Sequence, residues 1–133
     1  MRVVIAEDSS VIQKMLTGVL EKDKSIEIVG TASDGESAVK KTLELRPDIV
    51  LMDYRMPKQN APDCIKQIMS QQPTAILIIT SAEPFEEKRK EVMGLGALGF
   101  MEKPKSMDYN SLATKLVTQI KTLGRIKPAR RTY

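Results

Sequence analysis

The sequence predicts an α/β domain whose central sheet is parallel and covered by helices on both faces. Two observations carry this. Short unbroken aliphatic runs at residues 3–6, 49–52 and 75–79 suit strands buried on both sides. Apolar residues at helical spacing follow each run, so strand and helix signals alternate along the chain. At 133 residues the chain is long enough for one domain with a core of its own.

Val3-Val4-Ile5-Ala6 reads as the first strand, ending at Glu7-Asp8. Val11, Ile12, Met15, Leu16, Val19 and Leu20 then recur at helical spacing, with Ser9 or Ser10 placed near the N-cap. Ile26-Glu27-Ile28-Val29 is a second, more alternating strand, nearer an edge. Ser33-Asp34-Gly35-Glu36 matches the S-x-x-E capping box and opens a helix that Pro47 stops. The third strand runs to Asp53, and Pro57 forces the backbone out of the sheet soon afterwards. A loop through Pro57 and Pro62 leads to a helix with Cys64, Ile65, Ile68 and Met69.

Ala75-Ile76-Leu77-Ile78-Ile79 is the clearest buried strand and stops at Thr80-Ser81. Pro84 suits the first turn of the fourth helix, with Glu83, Glu86 and Glu87 complementing its positive end. The middle of that helix, residues 86–91, is wholly charged, and its apolar positions are few beyond Val92 and Met93. It reads either as a solvated face or as a weakly packed, movable element. A last strand at residues 97–101 ends before Lys103-Pro104, and Leu112, Leu116, Val117 and Ile120 belong to the fifth helix.

Composition excludes several classes. With no Trp and 4% aromatic residues, the core is aliphatic, with Met filling gaps. Cys64 is the single cysteine and the chain has no His, so a structural thiol is favoured over a nucleophile. No stretch has the length of a membrane span, and the N-terminus lacks a signal-peptide layout, which makes the cytoplasm the default location. The formal charge of +4 resides in Arg125, Lys127, Arg130 and Arg131; residues 1–124 are balanced. Gly124 and Pro128 interrupt this basic segment, so residues 125–133 read as a linker or tail rather than a nucleic-acid-binding helix. Gly94-Leu95-Gly96-Ala97-Leu98-Gly99 spells G-x-G-x-x-G, but it follows a helix and enters a strand. A dinucleotide fingerprint has the opposite polarity, so Gly94 or Gly96 is expected to cap the helix instead.

In a parallel sheet every strand presents its carboxyl end at one edge, where open α/β sheets bind ligands. That edge collects Glu7 and Asp8, Asp53, Thr80 and Lys103. Each alone is an everyday loop or surface residue; together they have a chemistry. Clustered carboxylates repel unless a cation joins them, and an all-oxygen donor set suits Mg²⁺. A lysine neutralises phosphoryl charge, a threonine hydroxyl can hydrogen-bond to a phosphoryl oxygen, and an aspartate can form an acyl phosphate.

With Glu7-Asp8, Asp53 followed by Met56-Pro57, Thr80-Ser81-Ala82 and Lys103-Pro104 in this order, the chain resembles the response-regulator receiver domain of two-component phosphorelays. It is similar both to single-domain chemotaxis response regulators and to the receiver of chemotaxis methylesterases. The resemblance covers residues 1–124. It implies a flavodoxin-like, doubly wound five-stranded parallel sheet of order 2-1-3-4-5 with five helices. It further implies that Asp53 is the phosphoacceptor, and that Asp8 and Asp53 bind Mg²⁺ directly, with Glu7 acting through water and the Arg55 carbonyl completing the set. Lys103 would pair with the acceptor and then with phosphoryl oxygens, across a cis Lys103-Pro104 bond. Thr80 and Phe100 would be the switch residues that alter the surface of the fourth helix, fifth strand and fifth helix.

The function implied is that of a phosphorylation-switched signalling domain rather than an enzyme, taking its phosphoryl group from a sensor histidine kinase. Its output would be a separate protein or a C-terminal domain, as in a methylesterase or transcriptional regulator. Neither a membrane nor nucleic acid is an expected partner. Two departures stand out: the family's Asp-Gly after Met-Pro is replaced by Asn60-Ala61, where Asn is expected to supply any positive φ, and Arg55 and Ala82 fill variable flanking positions. A Mg²⁺-dependent aspartyl-phosphate phosphatase is the remote alternative, but Arg55 stands where a second acid-base residue would follow Asp53. A flavin carrier would lack stacking aromatics.

Overall fold

The computed structural model describes residues 1–133 except Ala82 and Met107. Five parallel strands form one sheet: β1 (Arg2–Ala6), β2 (Glu27–Ala32), β3 (Ile49–Asp53), β4 (Ala75–Thr80) and β5 (Gly99–Glu102), in order β2-β1-β3-β4-β5. Five helices alternate with them: α1 (Ser10–Glu21), α2 (Gly35–Leu45), α3 (Ala61–Gln71), α4 (Phe85–Leu95) and α5 (Ala113–Leu123), the last preceded by a 3-10 turn at Tyr109–Leu112. This is the doubly wound, flavodoxin-like arrangement.

Two aliphatic layers sandwich the sheet. On one face Val4, Val50, Met52, Ile76 and Ile78 pack against α2, α3 and α4. On the other, Val3, Ile5, Leu51, Leu77 and Ile79 pack against α1 and α5 through Leu16, Leu20, Leu116 and Ile120. Successive strand residues alternate between the layers, which is why β3 and β4 read as unbroken apolar runs. Full burial of each large aliphatic side chain is worth about 1.5–3 kcal/mol, so these central strands dominate the hydrophobic stabilisation.

Helix ends refine the sequence boundaries. Ser9 caps α1, its hydroxyl accepting from the Ile12 N–H at 3.3 Å. At α2 the expected capping box is displaced by one residue: Asp34, not Ser33, is the N-cap and accepts from Ser37 N at 2.7 Å. Its carboxylate is the stronger acceptor and also complements the helix dipole. Pro84 stands outside α4 as its N-cap, because its extended ψ of 131° is not helical. At the other end Gly96 (φ 131°) and Ala97 donate back to Met93 and Val92 in a Schellman arrangement. These two N–H groups are committed to closing α4, so β5 starts at Gly99 rather than at residue 97 and extends to Glu102.

The edge strand β2 extends past its apolar signal, through Gly30 and Thr31 to Ala32, because β1 pairs with these residues after a register shift that passes over Val29. Cys64 is fully buried and its thiol, pushed up to about 12 by burial, contacts the Gly35 carbonyl at 3.5 Å. It is a packing thiol. Of the α4 residues only Val92 is buried, against five in α3. The charged run through α4 is thus attached to the core by a narrow apolar contact.

Two glycines separate backbone freedom from packing. A Cβ on Gly18, inside α1, meets nothing within 4 Å, whereas one on Gly35 would stand 1.9 Å from the Gln59 carbonyl oxygen. Gly18→Ala should therefore stabilise the fold by about 0.5–1 kcal/mol through the unfolded chain. Gly35→Ala should destabilise it by roughly 1–3 kcal/mol by driving the β3–α3 loop outward. Urea unfolding of both variants checks the opposite signs.

Candidate functional site

Three strands deliver the central charges. Glu7 follows β1, Asp53 ends β3 and Lys103 follows β5, so their side chains converge at the carboxyl edge of the sheet. Lys103 Nζ donates to Glu7 Oε1 at 2.6 Å and to Asp53 Oδ2 at 2.7 Å. Glu7 is 1%, Asp53 7% and Lys103 9% exposed, so these ion pairs are shielded from water and salt. The backbone holds the lysine in register: its N–H donates to the Thr80 carbonyl at 2.9 Å.

Burial, reinforced by the nearby Asp53 charge, raises the Glu7 pKa against the pull of Lys103 and the Ser9 N–H. Burial works to lower the pKa of Lys103, but the hydrogen bonds and charges of Asp53 and Glu7 outweigh it and hold it raised. Lys103 is therefore a firmly protonated cation between two carboxylates.

Glu7, Asp8 and Asp53 each offer a carboxylate oxygen within 4.8 Å of the others, and Asp8 is exposed at the rim. Glu7 already accepts at both oxygens, from Lys103 and from Ser9 N at 3.0 Å. Gln13 steadies the same turn by donating to the carbonyls of Glu7 and Ala32. Asp53 and Thr80 open onto a cleft of about 480 Å³ that Arg55, Ser81 and Glu83 also line. Ala82, the other variable flanking residue, lies outside the described residues.

Thr80 is buried and two residues beyond Ile78, which pairs with Phe100 across β4 and β5. Thr80 and Phe100 accordingly share one face of the sheet, the face under α4, with Phe100 half-buried. The expected cis bond before Pro104 is not found: the cis peptide lies at Glu83-Pro84. An X-Pro bond favours trans by only about 0.5–1 kcal/mol, so local packing selects which proline adopts which isomer.

The β3–α3 loop also departs from expectation. Positive φ falls on Lys58 (69°), not on Asn60, which has φ −78° as the N-cap of α3. Asn60 instead accepts from Met56 N through Oδ1 at 3.3 Å, while Pro57 O receives the Gly35 N–H at 3.1 Å. A contact between Lys58 and Asp34 at 3.7 Å accompanies the strained backbone. The loop beside Asp53 is thus set by its side-chain and glycine contacts.

Sequence reasoning passed over Tyr54. Its hydroxyl donates to Glu91 Oε1 of α4, and Lys88 Nζ sits 4.7 Å from the centre of its ring. Burial first, then the Glu91 bond, pushes the phenol up to about 12. The residue next to Asp53 is therefore tied to the middle of α4. No local pattern signals this pairing across 37 residues.

Residues 3–116 match the family described as response regulator receiver domain. The chain is 36% identical over 134 residues to the protein-glutamate methylesterase/protein-glutamine glutaminase 1 of Syntrophus aciditrophicus, covering 98% of this chain and 38% of that protein. It is 35% identical over 130 residues to the corresponding enzyme of Methanococcus maripaludis, covering 95% and 36%. The chain thus spans a little over a third of the length of these curated relatives. Among solved structures, it is similar to the response regulator domain of Thermotoga maritima CheB, with TM-score 0.89, 30% identity and coverage of 96% and 98%. It is also similar to a chain in the CheX-CheY-BeF3-Mg complex of Borrelia burgdorferi, with TM-score 0.79, 28% identity and coverage of 92% and 87%. The matched span, the strand order and the acid–lysine edge agree, and the chain belongs to the response regulator receiver domain family.

Proposed function

We propose that Asp53 is the phosphoacceptor of this receiver, and that the donor is the phosphohistidine of a sensor kinase in the cytoplasm. The observation that carries the reading is the Asp53 carboxylate itself: it ends a central strand, accepts from Lys103 through Oδ2 and opens onto a polar cleft. An Asp53 oxygen attacks phosphorus, the O–P bond forms, the P–N bond breaks, and its electron pair leaves with the imidazole. Lys103 would neutralise the added charge, and Thr80, among the residues lining the cleft, would follow a phosphoryl oxygen with its hydroxyl.

The all-oxygen donor set of Glu7, Asp8 and Asp53 fits Mg²⁺. Asp8 and Asp53 would hold it directly with the Arg55 carbonyl. Glu7, with both oxygens already accepting, would act through water. When bound, the ion supplies charge neutralisation to the transferring group. The Borrelia CheX-CheY complex, which contains a chain similar to this one, holds BeF3 and Mg, which favours Mg²⁺ as the ion.

Phosphorylation draws Thr80 toward the phosphoryl group and lets Phe100 move on the same sheet face, altering the surface made by α4, β5 and α5. The methylesterase relatives favour a methylesterase domain as the output this surface controls. That reading predicts that an isolated catalytic domain of this type binds the chain, with an affinity that changes when beryllofluoride is added. Equal affinity in both states would remove it.

Two outcomes test the site. With a small acyl phosphate and Mg²⁺, intact mass should show one added phosphoryl group in the native chain and none in Asp53→Asn. Lys103→Met should slow uptake by roughly 10²–10³-fold. Uptake by Asp53→Asn at the native rate would overturn the assignment.

Magnesium binding has its own readout. Titration calorimetry should show one site, weakened at least about tenfold in Asp8→Asn. At ten times the dissociation constant, Mg²⁺ should raise the native chain's unfolding free energy by about 1.4 kcal/mol. An Asp8→Asn affinity equal to that of the native chain would remove Asp8 from the ligand set.

A further inference from the structure

The segment after α5 carries the whole excess of positive charge, yet its contacts point inward to the domain. The Arg131 N–H donates to the Met69 carbonyl at 3.1 Å, and Arg130 Nη2 to the Gln71 carbonyl at 3.3 Å. Arg131 Nη1 donates to Gly94 O at 2.8 Å, and the Tyr133 hydroxyl to Leu95 O at 2.6 Å. All four acceptors lie in the last turns of α3 and α4, where carbonyls lack an intrahelical partner. These ends also carry the negative pole of the helix dipole, which favours an arginine. Arg131 passes close to Gly96: a Cβ there would stand 3.5 Å from Arg131 Nε, an ordinary van der Waals contact.

The seat is polar and exposed, so it is reversible. Arg130, Arg131 and Tyr133 are all exposed, and the segment makes no helix or strand. α4, which it grips, has Val92 as its only buried residue. That helix spans the domain: its N-terminus adjoins Glu83 on the Asp53 cleft, and its last turn lies about 16 Å away under Arg131 and Tyr133.

We propose that residues 130–133 form a strap on the carbonyl-lined ends of α3 and α4, seated in the resting chain and loosened when Asp53 is phosphorylated. The strap would report the state of the site at the opposite edge of the sheet. The seat stands on the contacts alone; its loosening rests on the phosphoacceptor reading. By linkage, contacts made preferentially in the resting state oppose activation, and removing them eases it.

The full chain tests this by NMR amide exchange with and without beryllofluoride and Mg²⁺, beside the double variant Arg131→Ala, Tyr133→Phe. Neither residue is near Asp53, so the variant leaves the phosphoryl site intact. In the native chain the residue-131 amide should exchange about three- to tenfold faster once beryllofluoride binds. The double variant should exchange fast in both states and bind beryllofluoride about three- to tenfold more tightly. If beryllofluoride binds, yet residue-131 exchange and the variant's affinity are unchanged, the coupling is overturned and the phosphoacceptor reading stands. If the native chain binds no beryllofluoride, the phosphoacceptor reading fails and the coupling fails with it. Fast residue-131 exchange in the resting native chain overturns the seat.

Discussion

One ammonium group holds the working edge of this sheet together. Lys103 joins Glu7 and Asp53, which belong to the ends of two adjacent strands, and it reaches them across β4, whose Thr80 carbonyl anchors its backbone. Two carboxylates this buried cannot both be ionised without such a partner. Deleting one member of a buried ionic cluster typically costs about 3–5 kcal/mol, whereas replacing the whole cluster with apolar residues is often neutral or stabilising. The cluster is therefore a poor device for stability alone. Its value lies in an aspartate paired with a cation and oriented at a cleft.

The Glu7 pKa carries the same message. Its folded-state value lies above that of the unfolded chain, so the fold binds this proton more tightly. The stabilisation from that proton is fully present below the unfolded pKa and is lost as pH rises through the folded value. Burial of the ionised form of Glu7 thus works against the fold, and a cation gathered by the acid edge opposes that effect. Stability given up at rest becomes affinity for a positively charged ligand.

Much of this was legible in the sequence because strand periodicity and topology are coupled. Once residues 49–52 and 75–79 read as buried parallel strands, Asp53 and Thr80 had to share an edge with Glu7, Asp8 and Lys103. What stayed hidden depends on contacts between distant residues. Asp34 rather than Ser33 caps α2, and Lys58 rather than Asn60 takes positive φ, because Gly35 and the 57–59 backbone settle against each other in three dimensions. The Tyr54–Glu91 bond and the carbonyls that receive Arg130, Arg131 and Tyr133 leave no periodic trace. Gly124 and Pro128 correctly signal an absence of regular structure after α5, but say nothing of what that backbone touches.

Polar and apolar attachments divide the helices into fixed and adjustable parts. α3 presents Ala61, Cys64, Ile65, Ile68 and Met69 to the core, and shifting it would break a wide close-packed contact. α4 presents Val92, with Met93 and Leu95 partly buried beside it, and is further secured by Glu91 to Tyr54, by Lys88 over the same ring, and by two donors at its last turn. The two bonds at its last turn lie at an exposed surface, where hydrogen bonds exchange readily with water at small net free energy. A helix with one fully buried side chain gives up less packing when it shifts than α3 does with five. Its ties begin at the residue beside Asp53 and end on the segment that leaves the domain. A change of charge at Asp53 therefore has a low-cost route through α4, whereas the same displacement through α3 would have to unpack the core.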